Sequence, residues 1–94
     1  MLWPSMPAIL KISYSPHFER SARSLQPNQL KLLSDRIEIF KLNCFDPRLK
    51  IHKLRGKHKN FWSFSISAKE RVMFEFVGKG VANLVDFGDH SIYR

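Results

Sequence analysis

Residues 61–87, FWSFSISAKERVMFEFVGKGVANLVDF, decide the fold. From Phe61 to Ile66, Trp62, Phe64 and Ile66 alternate with Ser63 and Ser65. That is the period of two expected of a strand with one apolar face. Ser67 to Glu70 supplies a turn. From Arg71 to Val77 the alternation resumes, with Val72, Phe74 and Phe76 opposite Arg71 and Glu75. Gly78-Lys79-Gly80 has the composition of a hairpin turn. Val81 to Phe87 is apolar on both faces apart from Asn83 and Asp86, as befits a central strand. The stretch therefore predicts an antiparallel meander.

Upstream, Arg48 to Lys59 (RLKIHKLRGKHK) carries six basic residues, two histidines and no acid. It reads as a short strand running into a glycine turn, with Leu49 and Ile51 facing a core and Lys50 and His52 facing out. Leu54 breaks the alternation, so a bulge or the strand end is expected there.

Before it, Pro27 to Leu42 has helical spacing at Leu30, Leu33, Ile37 and Phe40, with Lys31, Asp35, Glu38 and Lys41 on other faces. Ser15-Pro16 is an N-cap followed by a proline at the first helical position, with Glu19 near the cap. It opens a shorter helix to about Leu25 with Phe18, Ala22 and Leu25 inward. Gln26-Pro27-Asn28 separates the two helices. Ala8 to Tyr14 reads as a first strand with Leu10, Ile12 and Tyr14 on one side. The order is β-α-α-β-β-β-β, an α+β fold in one domain over residues 1–94. One sheet face is expected to pack on the helices. The other is expected to be free to carry Lys50, His52, Ser63, Ser65 and Arg71.

Composition narrows the function. Sixteen Lys and Arg against eight Asp and Glu give a net charge of +8 in 94 residues. Such an excess, clustered in one stretch, points to a polyanionic partner, most often nucleic acid. An anionic membrane surface or an acidic protein also fits. Cys44 is the sole cysteine, which excludes an internal disulfide and a zinc site built on cysteines, and a half-buried loop thiol is expected there. Residues 1–7 are expected to form a loose extension, with Met6 a candidate start. The N-terminal stretch has neither the basic region of a signal peptide nor an unbroken apolar span. A cytoplasmic location follows as the expectation.

The four histidines have no spacing that closes a metal site, and no phosphate loop, nucleophile elbow or zincin motif is present. No cofactor is expected. RNA cleavage needs little apparatus: a base for the 2′-hydroxyl, an acid for the leaving 5′-oxygen and cations for the charge that builds on phosphorus. Histidine serves either proton role near neutrality, and Lys and Arg stabilise the charge. His52, His90, Lys50, Lys53, Arg55 and Arg71 are the residue types such a site requires. Tyr93 has the ring to stack on a base or to cover a sheet edge.

Four segments in order, His52-Lys53-Leu54-Arg55-Gly56, Trp62-Ser63-Phe64-Ser65-Ile66, Arg71-Val72-Met73-Phe74 and Gly88-Asp89-His90-Ser91-Ile92-Tyr93-Arg94, resemble the RelE/ParE toxin superfamily. They are most like its YafQ-like and RelE/StbE mRNA interferases. The resemblance spans Ala8 to Arg94. It implies two N-terminal helices on a twisted, mostly antiparallel sheet of four to five strands.

The resemblance also implies the toxin of a type II toxin–antitoxin pair, which cuts mRNA on the ribosome without a metal and is silenced by a cognate antitoxin protein. His52, His90, Arg71 and Tyr93 fall on the catalytic positions, and Lys50, Lys53, Arg55, Lys57 and Lys59 become the RNA-binding candidates. The match is a hybrid. A further histidine and an Asp-Trp pair of the YafQ-like enzymes are replaced by Ile66-Ser67-Ala68-Lys69-Glu70-Arg71, where Glu70 is a stand-in for the aspartate. Ser91 replaces an acid. A ParE-like gyrase inhibitor and a non-catalytic nucleic-acid binder remain the alternatives.

Overall fold

The computed structural model describes residues 8–89. The expected extension 1–7 and the candidates His90 and Tyr93 lie outside them. The elements are β1 (Lys11–Tyr14), α1 (Pro16–Arg23), α2 (Pro27–Leu42), β2 (His52–Lys53), β3 (Trp62–Ser65), β4 (Arg71–Gly78) and β5 (Val81–Gly88), with 3₁₀ turns at Pro47–Leu49 and Gly56–His58. The sheet runs β1-β5-β4-β3-β2. Only the β1–β5 pair is parallel. This is the expected α+β arrangement of two helices on a mostly antiparallel sheet, and β5 has a neighbour on each side.

Both helices begin as the sequence dictates. Ser15 Oγ accepts from Phe18 N at 3.0 Å and donates to Val85 O at 2.7 Å, so one hydroxyl caps α1 and ties it to β5. At the start of α2, Gln26 N donates to Gln29 Oε1 at 2.9 Å, with Pro27 in the first turn. The bonds from Phe18 N and Gln26 N satisfy an N-terminal amide and a cap amide that the helices themselves leave open.

The core lies between the helices and the Phe64/Val72/Phe74 face of the sheet. Phe40 of α2 stacks on Phe64 (centroids 4.7 Å) and meets Phe74 edge-on (4.8 Å), and all three rings are fully buried. Such pairs contribute about 0.5–1.5 kcal/mol each beyond their burial. Leu33, Ile37, Ala82 and Leu84 complete the layer, and Phe18 of α1 packs edge-on against Phe87.

Three expectations need correction. The strand read over Ala8 to Tyr14 starts only at Lys11. Gly80 O accepts from both Leu10 N and Lys11 N, while Ile9 N donates to Lys41 O. That break in the ladder buries Ile9 and leaves Leu10 83% exposed, so of Leu10, Ile12 and Tyr14 only Ile12 is partly buried. Gly80 itself has φ +72°, and a Cβ there would meet the Leu10 side chain at 3.2 Å, so only glycine suits the position.

Second, Leu30 is 47% exposed at the first turn of α2, on the rim of the hollow between the helices, while Leu33, Ile37 and Phe40 are buried. Third, the basic strand shrinks to His52–Lys53. Asp46 accepts from Arg48 N (2.9 Å) and from the Arg48 guanidinium (3.0 and 2.8 Å), which folds residues 47–49 into a 3₁₀ turn. Leu49 is therefore buried by a turn and not by strand alternation.

Candidate nucleic-acid interface

The site candidates begin where that turn ends. Lys50 is the one non-glycine residue with positive φ among those described (φ 49°), a conformation uncommon for a residue with a Cβ. It aims the Lys50 carbonyl at the Arg71 guanidinium. His52 follows, paired with Ser63 across β2 and β3. Ser63 is paired in turn with Met73, two residues along β4 from Arg71. Alternation puts His52, Ser63 and Arg71 on one face, opposite the helices.

On that face Arg71 organises its neighbours. Its Nε donates to Ser63 Oγ at 3.0 Å, and its Nη2 donates to Lys50 O at 2.9 Å and lies 3.2 Å from His52 Nδ1. One side chain thus joins β4, β3, β2 and the loop before β2. The face is not open in the way the alternation suggested. Ser63 is fully buried with Arg71 bonded to its hydroxyl, and Ser65, 8% exposed, turns its hydroxyl to Ser67 O at 2.8 Å. Buried hydroxyls require such partners.

The remaining cations spread outward. Lys50, His52 and Lys53 are exposed, as are Arg55, Lys57 and Lys59 on the turn beyond. Arg55 and Lys57, with Leu54 and His58, line a shallow hollow of ≈ 330 Å³. Gly56, at φ +67°, turns the chain there. Among the described residues the salt bridges lie elsewhere, at His17–Asp86, Lys31–Asp35, Lys41–Glu38 and Arg48–Asp46. None of these four pairs involves Arg71, Lys53 or Arg55. Glu70, the stand-in for an acid, is drawn into its own turn, with Ser67 Oγ 3.5 Å from its carboxylate.

The structure therefore brings Lys50, His52 and Arg71 together, with Lys53 next along the strand and Arg55, Lys57 and Lys59 on the adjoining turn. His90 and Tyr93 fall outside the described residues. Ser63 was expected on this face but was not among the site candidates. Its place opposite His52 was readable from the alternation, but its bond to Arg71 was not.

Asp46 shapes the approach to the site. Its hydrogen bonds from Arg48 hold its carboxyl down at about 2. Cys44 is buried in the core, not half-buried as expected, and burial raises its thiol pKa, which does not suit a nucleophile. No group of three or more metal-ligand side chains is present among the described residues, and no helix among them is long and apolar enough to cross a membrane. A second hollow of ≈ 550 Å³, lined by Tyr14, Phe18, Leu30, Leu33 and Ile37, lies between the helices and shares no residue with the basic segment.

No family model matches the chain, and no curated protein matches it by sequence. Solved structures do. A YoeB/ParE toxin from Agrobacterium tumefaciens superposes with a TM-score of 0.73 at 19% identity, over 86% of this chain and 99% of that one. The YoeB dimer from Staphylococcus aureus gives 0.70 at 20% identity, over 88% and 99%. A chain of the E. coli DinJ-YafQ complex gives 0.58 at 20%, over 86% and 93%. The chain has the fold of these toxins, the RelE-like α+β fold its motifs implied.

Proposed function

We propose that this chain, built on the YoeB/ParE/YafQ toxin fold, is the toxin of a type II toxin–antitoxin pair and a metal-independent endoribonuclease acting on mRNA at the ribosome. One observation carries the reading: a histidine on a cationic segment, His52, is held at 3.2 Å by a guanidinium that no carboxylate among the described residues neutralises. A pure protein-binding surface has no need of an imidazole fixed in this way. An RNA phosphate needs both the cations and a group able to exchange or share a proton.

The chemistry is a transesterification. The 2′-oxygen attacks phosphorus, the bond from phosphorus to the 5′-oxygen breaks, and a 2′,3′-cyclic phosphate and a 5′-hydroxyl result. The 2′-hydroxyl proton passes to a base, and an acid supplies a proton to the 5′-oxygen. His52 and His90 are the proposed groups for this proton traffic. Arg71 stabilises the charge on phosphorus through its remaining N–H groups, and Tyr93 is the proposed aromatic at the scissile base. Lys50, Lys53, Arg55, Lys57 and Lys59 hold the flanking phosphates. The similar DinJ-YafQ complex supports a cognate antitoxin protein as the other partner, and we place the reaction in the cytoplasm.

Primer extension on cellular mRNA after induction tests the reading. New 5′ ends within translated messages are expected, and they should vanish with His52→Ala. Growth arrest with intact mRNA and broken DNA would overturn it in favour of a gyrase inhibitor.

A further inference from the structure

Among the described residues, the His52 ring is engaged at Nδ1. Two groups approach that nitrogen: Arg71 Nη2 at 3.2 Å and Lys50 O at 3.4 Å. They select opposite tautomers. A carbonyl requires a proton on Nδ1, whereas arginine can only donate and requires Nδ1 to be bare. Arg71 is the nearer, and Lys50 O already accepts from the same Nη2 at 2.9 Å. The guanidinium is itself anchored: its Nε donates to Ser63 Oγ at 3.0 Å, and Ser63 is fully buried.

From this geometry we infer that Arg71, seated on Ser63, is the positioning residue that fixes the His52 tautomer, leaving the ring proton on Nε2. His52 then meets the RNA as an N–H donor at the leaving 5′-oxygen, the acid's side of that proton traffic, and is not the base. The part that concerns RNA rests on the function proposed above, and the tautomer does not. Within that reading, proton abstraction from the 2′-hydroxyl falls to His90. The buried serine also gains a reason. With no hydroxyl at position 63, the guanidinium loses the bond that sets its rotation about Nε.

Long-range ¹H–¹⁵N correlation of the histidine rings tests this on the full chain, at a pH where titration in the same spectra shows His52 to carry one ring proton. The wild type should show the Nε2–H tautomer alone. Arg71→Met removes every donor and should shift the ring largely to Nδ1–H, now bonded to Lys50 O. Arg71→Lys, which restores a donor-only group, should recover part of the wild-type pattern. Ser63→Ala should give a mixture, and it decides the matter if Arg71→Met fails to fold. Adding uncleavable 2′-O-methyl RNA should move the Nε2 resonance and leave the tautomer unchanged. A wild-type ring protonated on Nδ1, or a tautomer unaffected by loss of the Ser63 hydroxyl or of the Arg71 donors, would overturn the inference. Absence of mRNA cleavage alongside the expected tautomers would instead contradict the nuclease reading and leave the positioning role intact.

Discussion

The β3–β4 ladder and the segment just before it meet through Arg71, yet they are held by different forces. Trp62–Ser65 and Arg71–Phe74 form a regular ladder whose inner side chains, Phe64, Val72 and Phe74, are fully buried. Lys50–Lys59 contains two strand residues, a left-handed lysine and a 3₁₀ turn, and its cationic side chains are exposed. Burial of apolar area holds the first region, and a few directional hydrogen bonds, from Arg71 and from Arg48 to Asp46, set the second and its approach. Substitutions should therefore change stability in one region and function in the other, with Arg71 and Ser63 at the border sensitive to both.

The largest effect expected is on the apolar side. Phe64→Ala removes a ring that touches both Phe40 and Phe74, and should destabilise by about 3–5 kcal/mol in urea or thermal unfolding. Lys53→Gln or Lys57→Gln should fall within about 0.5 kcal/mol of the parent in the same assay. Equal losses at Phe64 and Lys57 would erase the distinction between the regions.

The border comes next. Arg71→Met leaves the buried Ser63 hydroxyl without its donor, a cost of about 1–3 kcal/mol. Adding Ser63→Ala to that variant should recover part of the loss, because no polar group is then orphaned. Denaturant titration of both single variants and the double variant measures the coupling. Strict additivity would mean the 3.0 Å bond contributes nothing to folding.

What the sequence made legible follows the same border. The meander, the helical stripe at Leu33, Ile37 and Phe40 and the Ser15-Pro16 helix start were all readable, because apolar periodicity and cap chemistry are local. The motif resemblance by itself placed the chain among toxin folds. Leu30 was read into the buried stripe and the first strand was begun too early, because periodicity does not register where a layer or a ladder ends. The long basic strand was misread, because the Asp46–Arg48 clamp that turns residues 47–49 is a side-chain interaction with no periodic trace. Lys50, His52 and Arg71 were each identified singly. Their meeting through one guanidinium depends on register between strands separated in sequence by a turn, which a single chain does not display.

In the cationic region the expected effect is on binding. Replacing Lys53, Arg55 and Lys57 together with Gln should reduce the slope of log affinity for single-stranded RNA against log salt by roughly 2, at about 0.7 for each phosphate no longer neutralised. An unchanged slope would assign these charges to solvation or to the antitoxin. The smallest effect belongs to Asp46. Its carboxyl is held at about 2 in the folded chain against an ordinary 3.8. The group therefore adds stability above about pH 4, and that contribution fades as pH falls toward 2. Asp46→Asn should flatten the acid limb of a stability–pH curve over that window and leave the limb above it unchanged in shape.

The central claim is that the His52–Arg71 site cleaves mRNA, and the most direct measurement is primer extension across a translated message after induction of the parent, His52→Ala and Arg71→Met at matched protein levels. Discrete new 5′ ends are expected with the parent, a loss of about 10²-fold or more with His52→Ala, and a loss with Arg71→Met in a protein that still folds. Undiminished cleavage by both variants, or growth arrest by the parent with no cleavage at all, would contradict it.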